Sequence, residues 1–499
     1  MYQFTGKLKT ISIALMIIGV LGIGYGFFTA PSTIEEAKVM MSSSDEHGES
    51  HANVKETHSD VDAEKSHEEI LLHKDTVENH ASESDNKLHA EKSHKKDILH
   101  EDTSKNHETA SHDDAHAEHV FHQLQNRPWA AFYVALFFFL GITLLVLAFY
   151  AIQRVSQAGW SIVLFRVMEA ITANLLPVSI IMAVILILSA FHFNHLFPWM
   201  AEGTLDPTSA NYDPIIAGKS WWLNIPSWLI RGLVYLTIWN LYRAFIRKNS
   251  LKEDELRDKK TYKKSFNVSV VFLLLFMFTE SMMSWDWIMS LDPHWFSTLF
   301  GWYVLATLLV SALTVITFVT IYLRSKGFLP AVNDSHIHDL AKFMFGFSVF
   351  WTYLWFAQFM LIWYANIPEE TTYFVMRFNE YKLPFLGMVV MNFVFPILLL
   401  INSDFKSIPW FVFLGGIVIL GGHYIDVYIM IMPATVGAQW FIGIPEIASV
   451  LFFLGLFIYT VFSAFAKVNP VAIGNPFLKE SEHFHYYNIE HRGEEENHH

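Results

Sequence analysis

Ten runs of roughly 20 predominantly apolar residues recur along this chain, each long enough to cross about 30 Å of hydrocarbon. They lie near 11–28, 132–151, 167–191, 225–242, 268–289, 296–323, 340–364, 386–401, 410–430 and 447–465. No stretch alternates as the ten-residue strands of an outer-membrane barrel do. Within lipid every backbone polar group needs an internal partner, so runs of this kind fold as helices. The expected fold class is an all-α integral membrane protein of about ten transmembrane helices. Composition agrees: 53% of residues are hydrophobic and 16% charged, a balance far from that of soluble domains.

The formal charge of −14 misdescribes this body, because residues 31–127 alone hold 23 acidic against 10 basic residues. That segment is poor in apolar residues, so it buries too little surface to offset its ordering entropy and reads as disordered or transiently helical. It repeats with a period of 27: Glu64-Lys-Ser-His67 returns as Glu91-Lys-Ser-His94, and Asn79-His80 as Asn106-His107. Fourteen of the 25 histidines lie in it. Zinc, copper or nickel binding is one reading, and a solvated, duplicated spacer is the plainer one. The chain then divides into a first helix (1–30), the insert (31–127), a nine-helix membrane domain (128–470) and a tail (471–499). The first run is read as an uncleaved helix, because Pro31 follows Ala30 in a poor cleavage context. Its Gly22-Ile-Gly-Tyr-Gly26 has the spacing of close helix packing.

Lysines and arginines of short loops mark the cytoplasmic side. The 243–264 loop carries nine of them, and Arg154, Arg324, Lys326, Lys342, Lys406, Lys467 and Lys479 fall on the same side. The opposite short loops hold Lys219, Arg377 and Lys382. The expectation is a bacterial inner membrane, both termini cytoplasmic and the insert periplasmic.

An ionisable group inside a span is costly and defaults to a functional candidate. The candidates are Glu169, Arg231, Glu280, Asp286, Gln358, His423 and Asp426, read as a polar seam for protons or a quinol hydroxyl. An ion pair of Arg231 with an acid that merely holds helices together is the structural alternative. Asp286 and Asp426 are each followed seven positions later by a proline that ends the span, Pro293 and Pro433, an echo of two related halves. At 1.5 Å per residue both acids lie roughly 5–10 Å inside the boundary and Glu280 roughly 15 Å. His423 and Asp426 are three apart and share a helix face, which lets the carboxylate set the imidazole tautomer. Trp221, Trp222, Trp287, Trp295 and Trp363 read as an interfacial aromatic belt. The aromatic runs 276–278 and 351–356 read as packing or lipid-facing surface.

With no cysteine, thiolate-ligated zinc and iron–sulfur clusters are excluded, and bis-histidine haem lacks its ligands, since only His423 is clearly inside a span. No Walker loop or serine–histidine–acid signature occurs in a suitable context, and nothing points to nucleic acid.

Three stretches carry a resemblance: Trp285-Asp-Trp-Ile-Met-Ser-Leu-Asp-Pro-His-Trp-Phe-Ser-Thr-Leu-Phe-Gly301, Leu361-Ile-Trp-Tyr-Ala-Asn-Ile-Pro-Glu-Glu370 and His423-Tyr-Ile-Asp-Val-Tyr428. They resemble the two large polytopic subunits of alternative complex III, of the NrfD-like membrane family, over roughly residues 128–470. The leading helix and hydrophilic insert look most like the second of those two subunits. The resemblance implies two four-helix bundles, spans two to five and six to nine, flanked by two outer helices. It implies a complex that oxidises a quinol and reduces a cytochrome c or an oxygen reductase. Implied partners are multihaem and monohaem cytochrome c subunits, an iron–sulfur subunit and the paralogous NrfD-like membrane subunit. Haems and iron–sulfur clusters then belong to those partners, and the chain supplies scaffold and a proton path. The rival readings are a quinol pocket at the external face of this chain, and an independent secondary transporter. Against the transporter, Pro177 interrupts only one span and has no counterpart in the other half.

Overall fold

The computed structural model describes residues 2–39 and 101–485. Two units divide the chain, Met1–Ala30 with Asn126–His499, and Pro31–Gln125. Most of the 27-residue repeat and its histidines therefore lies outside the described residues. In the second unit residues 34–39 are helical, and Glu36 accepts hydrogen bonds from the backbone (2.7 Å) and hydroxyl (2.9 Å) of Ser32.

Among the described residues there are ten long helices, of which nine are long and apolar enough to cross a membrane. They are α1 (Gly6–Thr29), α2 (Glu101–Val155), α3 (Gly159–Ala190), α4 (Ile225–Leu256) and α5 (Lys259–Trp287), then α6 (Phe300–Ser325), α7 (Asp334–Ala365), α8 (Lys382–Leu400), α9 (Pro409–Val436) and α10 (Ile444–Phe465). The one outside the nine is α4, whose apolar stretch is interrupted by Arg231 and Asn240. The all-α expectation holds. Two boundaries move. α2 begins at Glu101, inside the stretch read as insert. The basic 243–264 segment is a helical hairpin tip rather than a loop. Arg257 turns left-handed (φ 49°) and closes α4, and the Asp258 side chain accepts from Thr261 N at 3.1 Å to cap α5.

Helices α2–α5 pack as one bundle and α6–α9 as another. α2 and α6 are the most buried and meet at Gly141, where an added Cβ would lie 2.5 Å from Leu308. The outer helices α1 and α10 pack on each other along a glycine stripe. Cβ atoms at Gly19, Gly22 and Gly26 would fall 2.5–2.6 Å from Phe452, Ala448 and Pro445. Close packing is thus what these glycines do, with Gly19 extending the stripe and Gly24 facing away from it.

Prolines break two helices, not one. Pro177 lacks the N–H that would bond Ala173, and a 3-10 turn (Thr172–Asn174) precedes it in α3. Pro396 follows a π turn (Val390–Val394) in α8. As second helix of one bundle and third of the other, the two do not correspond. Pro433 does not end α9, which continues to Val436. It frees the carbonyl of Ile429, and Arg377 Nη2 donates to that oxygen at 3.0 Å. The short helix Pro368–Asn379 carries Arg377 over the end of the second bundle.

Candidate functional site

The two acids lie in the halves of their helices away from the basic hairpin, one per bundle: Asp286 in the last turn of α5, and Asp426 ten residues before the end of α9. In the first bundle Asp286 is fully buried at the last turn of α5. Its Oδ1 accepts from Trp222 Nε1 (2.9 Å) and Arg231 Nη2 (2.8 Å), its Oδ2 from Arg231 Nε (2.8 Å) and Tyr235 OH (3.0 Å). A carboxylate has about four lone-pair sites, so this one is saturated. Arg231 spends further protons on Ser227 Oγ (2.7 Å) and Trp222 O (3.1 Å). The backbone is fastened too: Asp286 O accepts from Trp228 Nε1 (2.7 Å) and Ser290 Oγ (2.6 Å), and Tyr133 of α2 donates to Trp287 O (2.8 Å). The result is a clamp that joins α4 to α5 through a bidentate ion pair.

The second bundle repeats the position without the cation. Asp426, fully buried on α9, accepts from Tyr303 OH on Oδ1, and from Thr307 Oγ1 (2.7 Å) and Trp351 Nε1 (2.8 Å) on Oδ2. Three helices, α6, α7 and α9, thus meet at one carboxylate whose hydrogen-bond donors among the described residues are all neutral. His423 makes no hydrogen bond to it: Nδ1 stands 3.7 Å from Oδ2, and both ring nitrogens are buried without a hydrogen-bond partner among the described residues. The shared face is real, but Thr307 and Trp351 already occupy the nearer oxygen, so the tautomer-setting bond does not form. Next to Tyr303 lies a cavity of about 10 Å³ bordered by Gln358, Arg377 and Tyr373, about the smallest space that holds one water. Gln358 Oε1 and Arg377 Nε have no partner among the described residues.

The remaining candidates lie elsewhere. Glu280 is buried and makes no hydrogen bond or ion pair among the described residues. Glu169 belongs to the basic end, where it pairs with Arg166 and Arg247 and accepts from Ser250 and from Tyr150 (2.8 Å). Beside it Arg154 holds Glu253 through two bonds of 3.0 and 3.1 Å. That network ties α2, α3 and α4 together. No continuous seam forms, because among the described residues no hydrogen bond or ion pair links the Asp286 and Asp426 clusters.

The aromatic belt also needs correcting. Trp221 and Trp363 are exposed, whereas Trp287 and Trp295 are core residues and Trp222 donates to Asp286. Trp351, expected as packing surface, donates to Asp426. Tyr235, Tyr303, Thr307 and Arg377 are not among the sequence candidates, although aromatic and hydroxyl side chains one or two turns from an ionisable group carry a weak signal. Above the first clamp a cavity of about 300 Å³ is lined by Lys219, Trp222, Trp285, Met289, Trp295 and Phe296. Burial pushes the Lys219 ammonium below its usual range against the pull of Asp292 and Asp213, and it donates to Pro293 O at 2.6 Å.

No protein-family model matches this chain, and no curated protein matches it.

Proposed function

We propose that this chain is an integral membrane subunit of a respiratory quinol oxidoreductase of the alternative complex III kind, acting as scaffold and as part of a proton path. The observation that carries the scaffold role is the saturated Asp286 clamp. It lies in the stretch that most specifically resembles that family, and its contacts span α4 and α5. The proton role rests on Asp426, which among the described residues accepts hydrogen bonds from neutral donors only, and whose partner Tyr303 borders the water-sized space with Gln358 and Arg377. Purification of the tagged chain from its native membrane tests the proposal. It should bring down subunits bearing c-type haem, an iron–sulfur subunit and quinol oxidation activity. A chain that emerges alone, without haem partners, overturns this reading and favours the transporter.

The second reading, a quinol pocket in this chain, is favoured by the 300 Å³ aromatic cavity, which has the size and apolar lining of small-molecule sites. Trp285 and Trp295 offer buried indole N–H groups with no hydrogen-bond partner among the described residues, fit to donate to a quinone carbonyl. Asp286 itself has no lone pair left for a quinol hydroxyl.

The proposed orientation puts the basic hairpin in the cytoplasm. A cysteine placed at exposed Lys259 should resist a membrane-impermeant thiol reagent in spheroplasts, and one at exposed Thr208 should label. The chain has no native cysteine, so there is no background. The reverse pattern would invert the orientation.

A further inference from the structure

A groove of about 460 Å³ opens at the basic end where α4, the break in α3 and the end of α10 meet. Arg243 and Arg247 project into it from successive turns of α4, and Lys467 stands just beyond α10. Arg247 is neutralised by Glu169. Arg243 has no carboxylate partner among the described residues, its Nε is buried without any acceptor, and Lys467 is exposed with no ion pair. A half-buried guanidinium without an anion is unfavourable, so the groove is built around a missing negative charge. The Ser463 hydroxyl, also on its wall, makes no hydrogen bond among the described residues.

The apolar side of the groove indicates what carries that charge. Ala173 lines it, and Leu176 and Ile180 continue its face along α3 at three and seven residues. Both are about half exposed, 49% and 57%. An apolar track thus leaves the cationic groove along a membrane-spanning helix, where an acyl chain would run. Basic pockets between transmembrane helices suit anionic lipid headgroups.

We propose that this groove binds an anionic phospholipid, its phosphodiester held by Arg243 and Lys467 and an acyl chain laid along Leu176 and Ile180. The net positive groove selects against a zwitterionic lipid, whose choline would face Lys467. The inference is independent of the respiratory reading and of the orientation of the chain.

The test is native mass spectrometry of the full chain titrated with phosphatidylglycerol, phosphatidylcholine or glycerol phosphate. Phosphatidylglycerol should bind about tenfold tighter than phosphatidylcholine, the effect of somewhat more than one interfacial cation. Lys467→Gln, at an exposed position, should weaken phosphatidylglycerol about fivefold and leave phosphatidylcholine unchanged. Arg243→Gln should do at least the same, and Lys467→Gln decides the matter if that variant fails to fold. Equal affinity for the two lipids, or Lys467→Gln binding like the unaltered chain, overturns the proposal. Displacement of the lipid by glycerol phosphate at comparable concentration also overturns it, since the groove would then serve a soluble phosphate.

Discussion

Asp286→Asn should deplete the chain from the membrane. The carboxylate receives four donors, two on each oxygen. An amide keeps one acceptor and turns the other position into a donor aimed at donors. Arg231 also loses its counter-charge while Trp222, Ser227 and Tyr235 still enclose it. Breaking one side of a buried pair costs about 3–5 kcal/mol, a large part of a typical stability of about 5–15 kcal/mol. The expected result is a several-fold fall in subunit abundance on a membrane immunoblot. Asp286→Asn combined with Arg231→Gln should recover part of it, because no stranded cation remains. Normal abundance in the single variant would refute the clamp and reopen Asp286 as a proton-exchanging group.

Asp426→Asn should behave in the opposite way. Among the described residues no lysine or arginine pairs with Asp426, so its removal strands no such charge. An asparagine oriented with its oxygen toward Thr307 and Trp351 keeps both bonds, and its amide can donate to the Tyr303 hydroxyl oxygen. The change replaces a hydrogen bond to a carboxylate by one between neutral groups, at a cost of about 1 kcal/mol, and abundance should stay within about twofold of the unaltered chain. If the carboxyl carries protons, quinol oxidation coupled to proton release should drop by about 100-fold, the lower end of what a positioned proton-transfer group contributes. Both are measured in one preparation of the complex. Unchanged proton release and turnover would remove Asp426 from the proton path, and lost abundance would make it structural.

The contrast between these variants is not visible in the linear chain. Asp286 and Asp426 each stand seven residues before a proline, a pattern that by itself implies equal roles. What separates them is contributed from afar. Arg231 and Trp222 lie 55 and 64 residues before Asp286, while Tyr303 and Trp351 lie 123 and 75 residues before Asp426. By sequence Arg377 falls among the external basic residues. It proves to be 3% exposed, with its guanidinium over the Tyr373 ring at 3.3 Å and its Nη2 on the carbonyl that Pro433 releases.

The features legible in the linear chain are those governed by local physics. Apolar runs of membrane length must be helices because lipid offers no hydrogen-bond partners. The spacing of Gly22 and Gly26 in α1 called for a close neighbour, since small residues let backbones approach. The acids inside the spans had to have a reason to be there. Tertiary structure alone decided which helix lies beside which, and therefore whether a buried carboxylate meets a guanidinium, a ring of neutral donors or, as at Glu280, neither. Placement of a charge along a helix follows from one dimension, whereas its compensation depends on neighbours brought within about 3 Å by packing, which no local pattern encodes.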